Sequence, residues 1–133
     1  MRELAAVVVG GLVGTGLRLG LDELVPHRAD EFPVSTFVIN LVGAFVLGFL
    51  VARIWPVAPA WMKSGLGAGL MGSFTTFSAL ALGVVSLSES GQLLTAVAYL
   101  VVTLVAGLAA AFFGIILGRS RTREVPEINE VTE

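Results

Sequence analysis

Apolar residues in this chain run in four long blocks separated by short polar stretches, at about residues 4–24, 33–54, 59–88 and 93–117. No block alternates with the period of two that a barrel strand requires. Each is long enough for a helix that crosses a bilayer, since about 20 residues rising about 1.5 Å apiece span roughly 30 Å of hydrocarbon. The pattern predicts an all-α membrane protein of four transmembrane helices. Phe32-Pro33 opens the second block, and Arg53 with Trp55-Pro56 closes it. Only Met1-Arg2-Glu3 precedes the first block and three more apolar blocks follow it, so it reads as a retained helix, not a cleaved signal peptide. The connections are too short for a soluble domain. Residues 1–118 therefore form one four-helix transmembrane domain, and the polar residues 119–133 are expected to be a disordered tail.

Composition agrees with one membrane-embedded domain. The 133 residues are 56% hydrophobic and 14% charged, against about 25% charged in soluble domains. Sixteen glycines are many for this length. Pairs at small-xxx-small spacing recur at Gly10/Gly14, Gly16/Gly20, Gly65/Gly69 and Gly114/Gly118; such faces let helix backbones approach closely, within a chain or between subunits. They point to a compact bundle and an oligomer. The absence of cysteine excludes disulfides, thiolate catalysis and zinc–sulfur sites. His27 is the single histidine and shares a loop with Arg28 and Asp30, where solvation is the simplest expectation.

The net charge of −2 conceals a segregation. With four spans, the N-terminus, the second connection and the tail share one side, which carries Arg2, Arg53, Lys63, Arg119, Arg121 and Arg123. The other side carries Arg28, together with Arg18 if it reaches the interface. The positive-inside rule then places both termini in the cytoplasm.

Polar residues at membrane depth are unfavourable unless paired or hydrated, so each is a candidate site. Asn40, on the second helix, offers two N–H donors and one acceptor; it suits either an ion pathway or a hydrogen bond between helices. The third block reads Gly65-Leu-Gly-Ala-Gly-Leu-Met-Gly72-Ser73-Phe74-Thr75-Thr76-Phe77-Ser78. Four glycines followed by a hydroxyl-rich run suit a helix broken near mid-membrane, where freed carbonyls find other partners or a hard cation such as sodium. The other reading is a kink satisfied by serine and threonine bonds to the preceding turn. Thr95, Tyr99 and Thr103 recur every four residues on the fourth helix and share a face, continued by Gly107. Such a hydroxyl stripe offers donors to an anion without a fixed charge to trap it, and equally serves as glue between helices. Arg18 precedes Asp22 by one turn; it would concentrate anions at a pore mouth, pair with Asp22, or snorkel to the interface.

The stretches Gly11-Leu-Val-Gly14-Thr-Gly-Leu-Arg18, Asn40-Leu-Val-Gly43 and Gly72-Ser-Phe-Thr75-Thr76-Phe77-Ser78 resemble, in order, the signature runs of the Fluc/CrcB fluoride channel family. The resemblance extends to about residue 118. It implies a passive fluoride-selective channel that exports fluoride from the cytoplasm of the cell and so protects against its toxicity. It further implies an antiparallel, dual-topology dimer in the cell membrane with two pores lined by both subunits. The third-helix breaks would cross at the two-fold axis, where backbone carbonyls of Gly72 and Thr75 hold a structural sodium ion. Asn40 and Phe77, with Ser78 beside it, would line the fluoride path. Tyr99 and Thr103 match its polar track, and Arg18 matches a vestibule arginine. Partially positive aromatic edges and hydroxyl and amide donors would replace the water that fluoride gives up.

Two departures modify that expectation. The family usually has a second phenylalanine three residues after the first, where this chain has Leu80, and an aliphatic side chain offers no positive edge. A chain inserting both ways should also lack the strong charge bias found here. Both departures suggest one half of a heterodimer with an oppositely oriented paralogue. A small four-helix drug–proton antiporter is an alternative, but it needs a carboxylate in mid-span, and Asp22 and Glu23 lie at a helix end. A non-conducting structural subunit is a third reading, disfavoured by Asn40 and the hydroxyl stripe. An enzyme is not expected, because no span supplies a nucleophile with a base.

Overall fold

The computed structural model describes residues 1–26, 28 and 31–119. The loop residues His27 and Asp30, and the tail beyond Arg119 with Arg121 and Arg123, lie outside the described residues. The described chain is all-helical, with four helical spans long and apolar enough to cross a membrane. Helix α1 is Arg2–Leu24 and α2 is Val34–Arg53. The third span, Ala60–Glu89, is composite. It begins as α3 (Ala60–Ser64), widens into π-helical turns over Gly65–Met71, tightens into α4 (Gly72–Phe74), and resumes as α5 (Phe77–Glu89). Helix α6 is Leu93–Gly118.

Local chemistry sets several ends. Pro33 and Pro59 stand immediately before α2 and α3, where the missing proline N–H leaves no helical bond unmade and the fixed φ suits helix entry. The turn between α5 and α6 passes through Gly91 at φ 77°, a left-handed conformation that glycine adopts without steric penalty.

Two glycine seams hold the spans together. Along the first, α1 packs on the π-helical turns: a Cβ added at Gly10 or Gly14 would collide with the carbonyls of Gly65 or Leu70, and one at Gly69 would lie 2.8 Å from the Val7 carbonyl. Along the second, α2 packs on α6: a Cβ at Gly48 or Gly114 would collide with the carbonyls of Ala111 or Phe45, and one at Gly118 would lie 2.8 Å from that of Phe49. Without a hydrophobic drive between helices in lipid, this backbone-to-backbone approach supplies the dispersion contact that holds them. Helix α5 leans on α6 through Leu80, Leu87, Ala96 and Tyr99, with Phe32 and Phe37 closing the cluster. Tyr99 meets the edge of Phe32 at 5.0 Å between ring centroids, a favourable aromatic geometry. By contrast, Gly16, Gly20 and Gly107 have no atom of the described residues within 4 Å of where a Cβ would stand.

Candidate functional site

The glycine run and the hydroxyl run divide the third span's irregularity between them. The glycines carry the wide turns, and the extended backbone falls just after them, at Thr75 (φ −76°, ψ 155°) and Thr76 (φ −147°, ψ 114°). Thr75 ends the first part: its N–H and its Oγ1 both donate to the Met71 carbonyl, at 3.0 and 2.9 Å. Thr76 opens the second part, its Oγ1 accepting from the Ala79 N–H at 3.1 Å as a helix cap. That hydroxyl is also 3.1 Å from Ser78 Oγ.

Asn40 reaches this gap from α2. Its Nδ2 donates to the Thr76 carbonyl at 3.0 Å, and its Oδ1 accepts from the Thr76 N–H at 2.8 Å. Since the Thr76 amide is turned to Asn40 and the Ala79 amide to the Thr76 side chain, the carbonyls of Gly72 and Thr75 receive no hydrogen bond from the described residues. They are hard oxygens of the kind that suits a small cation. No three acidic, histidine or cysteine side chains come together among the described residues, and the oxygens at this gap are these carbonyls and the Thr75 and Thr76 hydroxyls. The amides of Phe77 and Ser78, at the start of α5, are likewise without acceptors, as the first turn of a helix dictates.

Two grooves flank the gap, and Thr75 lines both. One, of about 510 Å³, brings together Asn40, Thr75, Thr76, Phe77, Leu80 and Thr103 with apolar residues of α2 and α6. Among the described residues, no ionisable side chain lines it. Phe77 is 75% exposed on the chain's surface, while Leu80 is 3% exposed and packs inward. The other groove, of about 480 Å³, holds Gly72 and Thr75 beside Trp55, Lys63 and Ser64.

The candidate residues do not all converge. Thr103 lines the first groove, but its hydroxyl donates to the Tyr99 carbonyl at 2.7 Å, one turn back. Tyr99 is fully buried in the α5/α6 cluster and does not line that groove. Among the described residues no group meets its hydroxyl in hydrogen-bonding geometry, although the Thr36 side chain is the polar group set against it. Arg18 is half-buried on α1 and lines neither groove, and Ser78 is exposed. The sequence reading passed over Thr36, whose position one turn before Asn40 puts it on the same face and was the available signal. It named Thr76 only as part of a run. It used Trp55 only to mark the end of the second block; its Nε1 is buried and makes no hydrogen bond to the described residues.

Residues 5–115 match the family model described as CrcB-like protein, Camphor Resistance (CrcB). Among similar curated proteins is a Fluoride-specific ion channel FluC of Pseudomonas putida, 39% identical over 119 residues that cover 87% of this chain and 96% of the relative. Fluoride-specific ion channel FluC 1 of Mycobacterium tuberculosis is 38% identical over 120 residues, covering 89% of this chain and 91% of the relative. Fluoride-specific ion channel FluC 2 of Geobacillus kaustophilus is 34% identical over 122 residues, covering 90% and 95%.

Proposed function

The chain belongs to the CrcB family, and on that premise we propose that it is a passive, fluoride-selective channel subunit of the cell membrane, exporting fluoride from the cytoplasm. It is an ion-transport protein and not an enzyme, in keeping with relatives that are named fluoride-specific ion channels. The observation that carries the reading in this chain is the groove beside the helical gap. It sets amide and hydroxyl groups of Asn40, Thr76 and Thr103 in apolar walls to which the described residues bring no ionisable side chain. An anion is drawn through such a passage by donors and dipoles without being trapped by a fixed opposite charge.

Within this reading the Thr75–Thr76 gap lies near mid-membrane, and two subunits associate antiparallel with their gaps crossing at the two-fold axis. The groove then becomes a pore when a second subunit closes it. Asn40 and Phe77 face the ion with Ser78 beside them, Thr103 continues the track with its hydroxyl held by the Tyr99 carbonyl, and Arg18 attracts fluoride at the vestibule. The Gly72 and Thr75 carbonyls suit a structural sodium ion, because no helical amide occupies them; bound there, it would neutralise the carbonyl dipoles gathered at the axis. Both termini face the cytoplasm, by the excess of Arg and Lys at that end. The same bias, with Leu80 in place of an aromatic residue, favours an oppositely inserted paralogue as the second subunit.

Fluoride efflux from liposomes, read with a fluoride electrode and with chloride efflux as control, tests the reading. The expected result is little release from the chain alone and fast fluoride-selective release once it is co-reconstituted with a reverse-biased paralogue. Fast release from the chain alone would establish a homodimer and remove the paralogue from the proposal. Failure in both preparations would sink the channel reading.

A further inference from the structure

An extended residue pair inside a membrane helix leaves amides and carbonyls without helical partners, which is strongly unfavourable away from water. At Thr76 the remedy comes from a side chain on another span. The Thr76 N–H has lost its helical acceptor and meets Asn40 Oδ1 at 2.8 Å, while the Thr76 carbonyl takes Asn40 Nδ2 at 3.0 Å. A carboxamide is a copy of the peptide group, with acceptor and donor side by side. Asn40 therefore stands in for a length of backbone that the helix lacks. A hydroxyl at this position has one oxygen and cannot span both atoms of Thr76, and an aliphatic side chain would leave both unanswered.

What Asn40 holds is the residue that organises the start of α5. The Thr76 hydroxyl caps the Ala79 N–H and contacts Ser78 Oγ, each at 3.1 Å. Phe77 and Ser78 follow directly from that fixed point. The two bonds to Thr76 occupy one of the two Nδ2 hydrogens, leaving a single N–H for the groove that Asn40 lines.

We infer that Asn40 is a positioning residue for permeation: it fixes the Thr76 peptide group, and through it the orientation of Phe77 and Ser78 beside the groove. This function rests on the channel reading above, whereas the pairing it depends on can be tested without any flux.

The test has two arms on the assembled protein. In the first, site-resolved amide hydrogen exchange in the wild type should show the Thr76 N–H more protected than those of Phe77 and Ser78, and Asn40→Ala should bring it to their rate. In the second, a main-chain ester at position 76, which replaces that N–H by oxygen and also weakens the Thr75 carbonyl as an acceptor, is introduced with Asn40 intact, and the Asn40→Ala background separates the two effects. Fluoride flux should fall roughly fivefold to tenfold, the factor that one ordinary hydrogen bond corresponds to. Adding Asn40→Ala should then reduce flux far less than it does in the unmodified chain. A Thr76 amide as exposed as its neighbours in the wild type, or wild-type flux from the ester while Asn40→Ala abolishes flux, would overturn the inference. If Asn40→Ala does not assemble, Asn40→Leu, which fills the site but leaves both Thr76 atoms unanswered, takes its place with the same expectations. Absence of fluoride flux in the wild type would count against the channel reading, and the exchange arm would still decide the pairing.

Discussion

Gly14 and Gly20 lie on the same helix, six residues apart, and each is half of a small-xxx-small pair. Their surroundings are opposite. Gly14 is buried, and a methyl group there would strike the Leu70 carbonyl and stand 3.1 Å from the Phe74 nitrogen, whereas no atom of the described residues lies within 4 Å of the corresponding point at Gly20. The spacing that marks a close-packing face is therefore common to both ends of α1, but only the N-terminal end is closed by a neighbour within the chain. Small residues permit close approach; what approaches is decided by where the other helices run.

Substitution along α1 should grade accordingly. Gly14→Val should have the largest effect, because the obstacle is backbone and cannot swing aside. Separation of α1 from the third span is expected, with a loss of about 3 kcal/mol or more, seen as a lowered thermal midpoint and loss of monodisperse protein in detergent. Gly11→Ala is intermediate: its Cβ would stand 3.3 Å from Ser73 Oγ, a rotatable hydroxyl. Stability should stay within about 1 kcal/mol of wild type, the tight contact offset by alanine's better helix propensity. Gly16→Ala and Gly20→Ala should be smallest, leaving the midpoint unchanged or slightly raised and fluoride flux within about twofold, since helix propensity favours alanine by up to about 1 kcal/mol. A Gly20→Ala protein as damaged as Gly14→Val would break the comparison and show that a second subunit closes this face.

The four spans were legible because a hydrophobic run of bilayer length is a property of consecutive residues. The irregularity of the third span was legible for the same reason: Gly65 to Ser78 announces it by composition alone. Its division into wide turns over Gly65–Met71 and extended residues at Thr75–Thr76 was not legible, since both conformations draw on glycine and hydroxyl residues. Asn40 was visible as a polar residue in a span, but its partner lies 36 positions away, and such pairings depend on how spans pack. The hydroxyl row on α6 shows the limit most clearly. Tyr99 and Thr103 share a helix face as their spacing requires, yet one is sealed in the aromatic cluster and the other borders the groove. Periodicity assigns residues to a face, and that face crosses more than one environment along its length.

The π-helical turns have a consequence for the third span as a rotating object. An α-helix advances each side chain by about 100° about its axis, at 3.6 residues per turn, while a wider turn advances each by less. The seven residues Gly65–Met71 thus set the azimuth of everything after them. Removing one residue there would preserve the hydropathy of the span while turning Thr76 by somewhat less than the roughly 100° of an α-helical step, away from Asn40. The length of the glycine run acts as a phase setting, as exacting as the identity of the residues it aims.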